Sequence, residues 1–174
     1  MSRNVEIKAK VQNLDETVRR AVEISGKQPT ILKQHDIFYE SPNGRLKMRS
    51  VEENGVAHTE LIWYDRSDVA GPKLSNFNKF DVPSEVLDAL KLSLQSSMGV
   101  KGEVKKTRTL VLHGQTRIHI DRVDGLGDFM ELEVCLSPEE TPEHGEKIAH
   151  EIRELLAVPE TDLLTGAYMD MLKA

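Results

Sequence analysis

Residues 4–11 of this chain, Asn-Val-Glu-Ile-Lys-Ala-Lys-Val, alternate polar and apolar without a break. Side chains on a strand point to opposite faces in turn, so this segment reads as a strand with one apolar face and one charged face. The same rhythm returns later. Arg45, Lys47 and Arg49 oppose Leu46 and Met48; Glu60, Ile62, Tyr64 and Arg66 share a face; Lys106 and Arg108 share another. Further on, Arg117, His119 and Asp121 alternate with Ile118 and Ile120, and Glu131, Glu133 and Cys135 oppose Met130, Leu132 and Val134.

A solvated sheet face mixes charge signs with Ser, Thr and Gln. Here the polar faces are sorted: bases pair with bases, acids with acids. Residues i and i+2 of a strand lie about 7 Å apart on one side, so each like-charged pair left in water is mildly destabilising. On that reading, removing Lys47 or Arg49 relieves repulsion and leaves the fold intact or slightly more stable. Two paired bases make an oxyanion clamp and two paired carboxylates a divalent-cation site. The pattern therefore points the charged faces inward, around a polyanion and a metal.

The connections suit such a sheet. Ser41-Pro42-Asn43-Gly44, Asn54-Gly55, Gly114-Gln115 and Gly125-Leu126-Gly127 are turn signals between strand segments. Strands are expected over 4–11, 31–40, 45–52, 57–66, 74–82, 99–113, 116–122 and 128–136, with 67–73 as a mobile loop. Apolar spacing predicts helices over 14–25, capped by Asn13 and ended by Gly26, over 84–97 after Pro83, over 142–157, and over 162–172 carrying Tyr168. Hairpins between successive strands mean an antiparallel sheet. The expected α+β fold is an eight-stranded antiparallel closed β-barrel with a polar lumen wide enough for one small ligand, and with helices packed outside. No boundary divides residues 1–174, which read as one domain.

The net charge of −6 argues against a general nucleic-acid or membrane-surface binder. Cys135 is the single cysteine, so neither an internal disulfide nor a cysteine zinc site is available; beside Glu133 it should be a poor nucleophile. No apolar run reaches the roughly 20 residues of a membrane span, and Met1-Ser2-Arg3 runs straight into a strand, so a cytoplasmic protein is expected. The six histidines show no ligand spacing, which suits surface or capping roles; His119 is the exception that merits a test.

These segments resemble the CYTH family, the triphosphate tunnel metalloenzymes. Asn4-Val5-Glu6-Ile7-Lys8 is similar to its ExExK signature, and Leu46-Lys47-Met48-Arg49, Glu60-Leu61, Lys106, Arg108, the Arg117–Asp121 segment and Glu131-Leu132-Glu133 follow in order over nearly the whole chain. The resemblance implies a tunnel gripping the triphosphate of a small molecule, with Mg²⁺ or Mn²⁺ as cofactor, in a monomer or homodimer. Carried onto this sequence, it makes Lys8, Lys10, Lys47, Arg49, Lys106 and Arg108 substrate-binding, with Lys73, Lys79, Arg117 and Arg66 as further phosphate contacts. Glu6, Glu131 and Glu133 become metal ligands, Asp121 a further ligand or its positioner, and Glu6, Lys8 and Glu133 the catalytic set. Tyr168 resembles the family's C-terminal tyrosine, a plug for one tunnel mouth. Two departures stand out: Asn4 replaces the first acid of the signature, and Ile62 replaces an expected lysine, for which Lys73 or Lys79 can substitute. The expected activity is metal-dependent hydrolysis of tripolyphosphate, thiamine triphosphate or a nucleoside triphosphate. The alternatives are a class IV-type adenylate cyclase, with Phe77, Phe80 and the 67–73 loop as candidate purine contacts, and a non-catalytic polyphosphate binder.

Overall fold

The computed structural model describes residues 1–173. Its strands are β1 (Ser2–Lys10), β2 (Thr30–Tyr39), β3 (Arg45–Glu53), β4 (Val56–Arg66), β5 (Lys73–Asp81), β6 (Val100–His113), β7 (Thr116–Val123) and β8 (Gly127–Leu136). Every neighbouring pair is antiparallel and the sheet closes on itself in the order β1-β5-β4-β3-β2-β6-β7-β8. This is the eight-stranded barrel that the alternation required. Closure leaves no strand edge unpaired, and it turns one face of every strand into a lumen.

The helices are α1 (Leu14–Ser25), α2 (Ser84–Met98), α3 (Pro142–Leu155) and α4 (Tyr168–Lys173), with a 3₁₀ turn at Glu160–Asp162. The Asn13 side chain accepts the amide of Glu16 and Gly26 ends α1 in the left-handed region at φ 66°. The main apolar core lies outside the barrel. Val5, Ile7, Ile118, Ile120, Leu132 and Val134 are fully buried beneath α1 and α3, each side chain contributing roughly 1.5–3 kcal/mol. Met48, Tyr39 and Val82 meet the stripe of α2 formed by Leu87, Leu90 and Leu94. With their most apolar faces taken up by helices, the strands turn the faces that carry most of the charged residues to the interior. Among the described residues no helix is long and apolar enough to cross a membrane.

Three local expectations are corrected. The helix foreseen over 162–172 is broken: Leu163 bridges Ala9, the Leu164 amide donates to the Lys8 carbonyl at 2.9 Å, and Gly166 sits at φ 72° before α4 begins. Pairing with the end of β1 takes the backbone groups that a helix would have used. The third helix stops at Leu155, and Ala157 has φ 57°. Lys73 opens β5 instead of ending the loop, and it pairs with Glu6.

Candidate active site

The lumen is a cavity of about 720 Å³. Its mouth is at the β1 N-terminal end, where the lining residues Glu53, His58 and Lys79 are exposed. At the other end the C-terminal segment crosses the barrel: the Gly166 carbonyl accepts from Lys8 Nζ and Arg66 Nη2, each at 3.3 Å, and Tyr168 is buried. Eight basic and six acidic side chains line the cavity, an excess of positive charge inside an acidic protein.

The deepest basic group is organised by an acid that the sequence did not flag. Asp36, on β2, is 2% exposed. Arg49 grips it with two parallel bonds, Nε to Oδ1 at 2.7 Å and Nη2 to Oδ2 at 2.8 Å, while Lys106 donates to Oδ2 at 3.0 Å and Lys47 stands 3.7 Å away. Burial alone pushes the carboxyl up, but Arg49, Lys106 and Lys47 together hold it well below the usual range. Burial, reinforced by Arg49 and only partly offset by Asp36, lowers Lys47 to about 7; burial likewise lowers Lys106 to about 8. The expectation that losing Arg49 relieves repulsion is therefore overturned. Arg49 is paired, and its removal strips an acid of its main partner.

A second anchored base lies next to it, two residues along β6 from Lys106. Arg108 donates to both oxygens of Asp121 at 2.8 and 2.7 Å, and the Tyr168 hydroxyl donates to Asp121 Oδ2 at 2.8 Å. Asp121 is fully buried. With both oxygens occupied it acts here as the positioner of Arg108; it does not line the cavity or share in the ligand cluster. Lys8 lies 4.0 Å over the Tyr168 ring and 3.3 Å from Glu131 Oε2. Its pKa is lowered by burial and by Arg66.

The metal-type donors converge on β7 and β8. One atom each from His119, Glu131 and Glu133 lie within 4.8 Å of one another. His119 faces Glu131 directly across the β7–β8 pair. Burial raises both carboxyls, but Lys8, with His119 and Arg108, brings Glu131 well below the usual range, and His119, Arg108 and Arg117 lower Glu133. Burial and Arg108 push the His119 imidazole down, which favours the neutral, metal-competent ring. Two ionised carboxylates and a buried imidazole whose nitrogens have no hydrogen-bond partner fit a divalent cation. Glu6 differs from both acids. It is bonded to the Arg66 guanidinium, yet burial and the charges of Glu131 and Glu133 outweigh Arg66 and raise its pKa. Asn4 Oδ1, on the same face, is buried and unpartnered. A second cluster, His58, Glu60 and Asp81, sits at the exposed rim.

Most of the residues expected from sequence come together: Glu6, Lys8, Lys47, Arg49, Lys106, Arg108, Arg117, Lys79, Glu131 and Glu133 all line one cavity, as does Arg66. Arg117 lies 3.6 Å from Glu133. Lys79 stands directly across from Ile62, the position where the expected lysine is missing. Lys73 is buried beside Glu6 with Nζ on the Val69 carbonyl at 3.0 Å, and burial lowers it to about 8. Lys10 is not brought in. It ends β1 exposed, outside the lining set, because the barrel interior is already crossed by the C-terminal segment at that level. Phe77 lines the mouth, but Phe80 is on the other face and 51% exposed. Cys135 lines the mouth, its thiol pushed up by burial and Glu133. Sequence reasoning missed Asp36, whose only signal was the face it shares with Gln34 and Phe38. It also missed that His119 is brought against the paired glutamates, because ligand spacing in a sheet runs between strands.

Residues 2–168 match the family model described as CYTH domain. No curated protein sequence matches. Among solved structures, the chain is similar to the PH1819 protein of Pyrococcus horikoshii OT3, with 23% identity, TM-score 0.79 and 98% of each chain covered. It is also similar to PH1012 of the same organism, with 24% identity, TM-score 0.77, and 96% of this chain and 98% of that one covered. A third likeness is to HpAC1 from Hippeastrum, described as having a dominant triphosphatase activity, with 12% identity, TM-score 0.64, and 99% of this chain and 95% of that one covered. At such identities the likeness is one of fold.

Proposed function

The chain belongs to the CYTH family, and on that premise we propose that it is a Mg²⁺- or Mn²⁺-dependent phosphohydrolase acting on a triphosphate bound in the lumen. One observation carries the reading. Lys8, Lys47, Arg49, Arg66, Lys106 and Arg108 face the same cavity as the carboxylates Glu131 and Glu133. Phosphoryl transfer asks little covalent work of a protein; positioning and neutralisation of charge suffice. Lys47, Arg49, Lys106 and Arg108 hold phosphate oxygens, and Asp36 and Asp121 fix the angle of the two guanidiniums. Lys79 and Arg117 extend the basic surface toward the mouth, Arg66 adds to it at the closed end, and Lys73 stands buried behind Glu6 as a further positive charge. Glu131 and Glu133 would hold the cation, which when bound neutralises phosphate charge and polarises the P–O bond to be cleaved.

Water attacks the terminal phosphorus in line, its oxygen forming the new P–O bond as the anhydride P–O bond breaks. The leaving diphosphate group is stabilised by Lys8 and its basic neighbours. The acids divide by environment: Glu131 and Glu133 are held ionised, whereas the raised Glu6 is the carboxyl suited to take a proton from water. A second reading, an adenylate cyclase, draws support from an apolar strip at the mouth. Val51, Leu32, Leu110 and Leu112, on the adjacent strands β3, β2 and β6, suit an organic group attached to the phosphates.

The test is incubation with tripolyphosphate, thiamine triphosphate and ATP under Mg²⁺ or Mn²⁺, scoring free phosphate against cyclic nucleotide and binding alone. Phosphate release that Glu131→Gln abolishes is expected. If no triphosphate is turned over and none raises the melting temperature, the reading fails.

A further inference from the structure

His119 is the feature that a magnesium site does not explain. Its ring is 1% exposed, and neither nitrogen has a hydrogen-bond partner among the described residues. Nδ1 points at Glu131 Oε1 from 3.6 Å and Nε2 at Glu133 Oε2 from 3.8 Å, too far to donate in either direction. A histidine buried for packing finds a partner, since an unpaired polar group in the interior costs stability. This one is held between two carboxylates at the width of a coordination sphere.

We propose that His119 is a direct nitrogen ligand of the lumen cation and that it tunes the site to Mn²⁺ over Mg²⁺. The inference rests on the metal-dependent reading above and goes beyond it in naming the ligand atom type and the preferred ion. Mg²⁺ takes near-octahedral oxygen ligands and keeps several waters. An imidazole contributes little to it, whereas first-row transition ions accept mixed nitrogen and oxygen sets. With one ring nitrogen on the ion, the other carries the proton and can donate to the carboxylate it already faces, fixing the tautomer. Asn4 fits the same picture: its buried, unpartnered Oδ1 is a neutral oxygen where a third acid would have strengthened a hard-cation site.

The experiment uses the whole chain and Mn²⁺ as its own probe. Spin-echo modulation of bound Mn²⁺ should show imidazole ¹⁴N in the wild type and in His58→Gln, which removes the histidine of the rim cluster, and should lose it in His119→Gln. Calorimetric titration should find Mn²⁺ bound at least about tenfold more tightly than Mg²⁺, with the gap mostly closed in His119→Gln. Mn²⁺ bound without ¹⁴N modulation, modulation that survives in His119→Gln or vanishes in His58→Gln, or equal affinities for the two ions overturns the inference while leaving metal-dependent hydrolysis standing. If neither ion binds and no triphosphate is hydrolysed, both readings fall. Should His119→Gln not fold, the wild-type spectrum, the His58→Gln control and the affinity ratio still decide.

Discussion

Replacing Asp36 by Asn tests whether the basic cage is held together from within. The side chain keeps its shape and one oxygen acceptor but loses the charge that three bases share. Three charge-assisted hydrogen bonds end on this carboxylate, at 2.7, 2.8 and 3.0 Å, with Lys47 a further 3.7 Å neighbour. Breaking a buried ion pair from one side typically costs about 3–5 kcal/mol, because the partner charges are left uncompensated. Lys47, already near 7, can release its proton and soften the loss. The lower end, about 3 kcal/mol, is therefore expected, or a fall in melting temperature of about 6–12 °C for a chain of this size. Tripolyphosphate should offset part of this loss. With the competing carboxylate gone, the cage is more positive, so ligand-induced stabilisation should be larger in Asp36→Asn than in the wild type. Denaturant unfolding at pH 7.5 and melting with and without tripolyphosphate measure both. Stability within about 1 kcal/mol of wild type, or a smaller ligand shift, would refute the reasoning.

Lys47 is a cation below about pH 7 and loses its proton as pH rises through that value, whereas Lys106 and Lys73 do so near 8. Tripolyphosphate affinity should therefore begin to fall near pH 7 in the wild type and only near pH 8 in Lys47→Arg, by calorimetry with the same ligand in both; coincident profiles would exclude Lys47 as a phosphate contact. Tyr168→Phe removes the hydroxyl that Asp121 accepts at 2.8 Å and should cost about 1.5–3 kcal/mol in denaturant unfolding, as a hydrogen bond to a charged group does, while weakening triphosphate binding through a looser Arg108. Gly145→Ala puts a Cβ 2.7 Å from Val5 Cγ2 and 2.9 Å from Leu136 Cδ2, where α3 lies on the barrel. It should destabilise by about 1–3 kcal/mol yet leave turnover per folded molecule unchanged, since nothing in the lumen moves.

The amino-acid order by itself determined the strands, their antiparallel pairing and the inward direction of the charged faces. A period of two is enforced by backbone geometry, and sign-sorted bases have no reason to face water. Lys47, Arg49, Lys106, Arg108, Glu131 and Glu133 were legible on that ground alone, whereas Lys8, on a face that mixes signs, needed the family resemblance. How those charges are compensated emerges only when the barrel closes. Asp36 meets Lys106 across 70 residues of sequence and Arg49 across 13. His119 meets Glu131 through strand register, and Lys10, in perfect alternation with Glu6 and Lys8, falls outside the cavity where the C-terminal segment closes it. Periodicity says which face a side chain takes; register between distant strands says which charge it meets. That register is set by closure of the barrel, which no local stretch of the chain encodes.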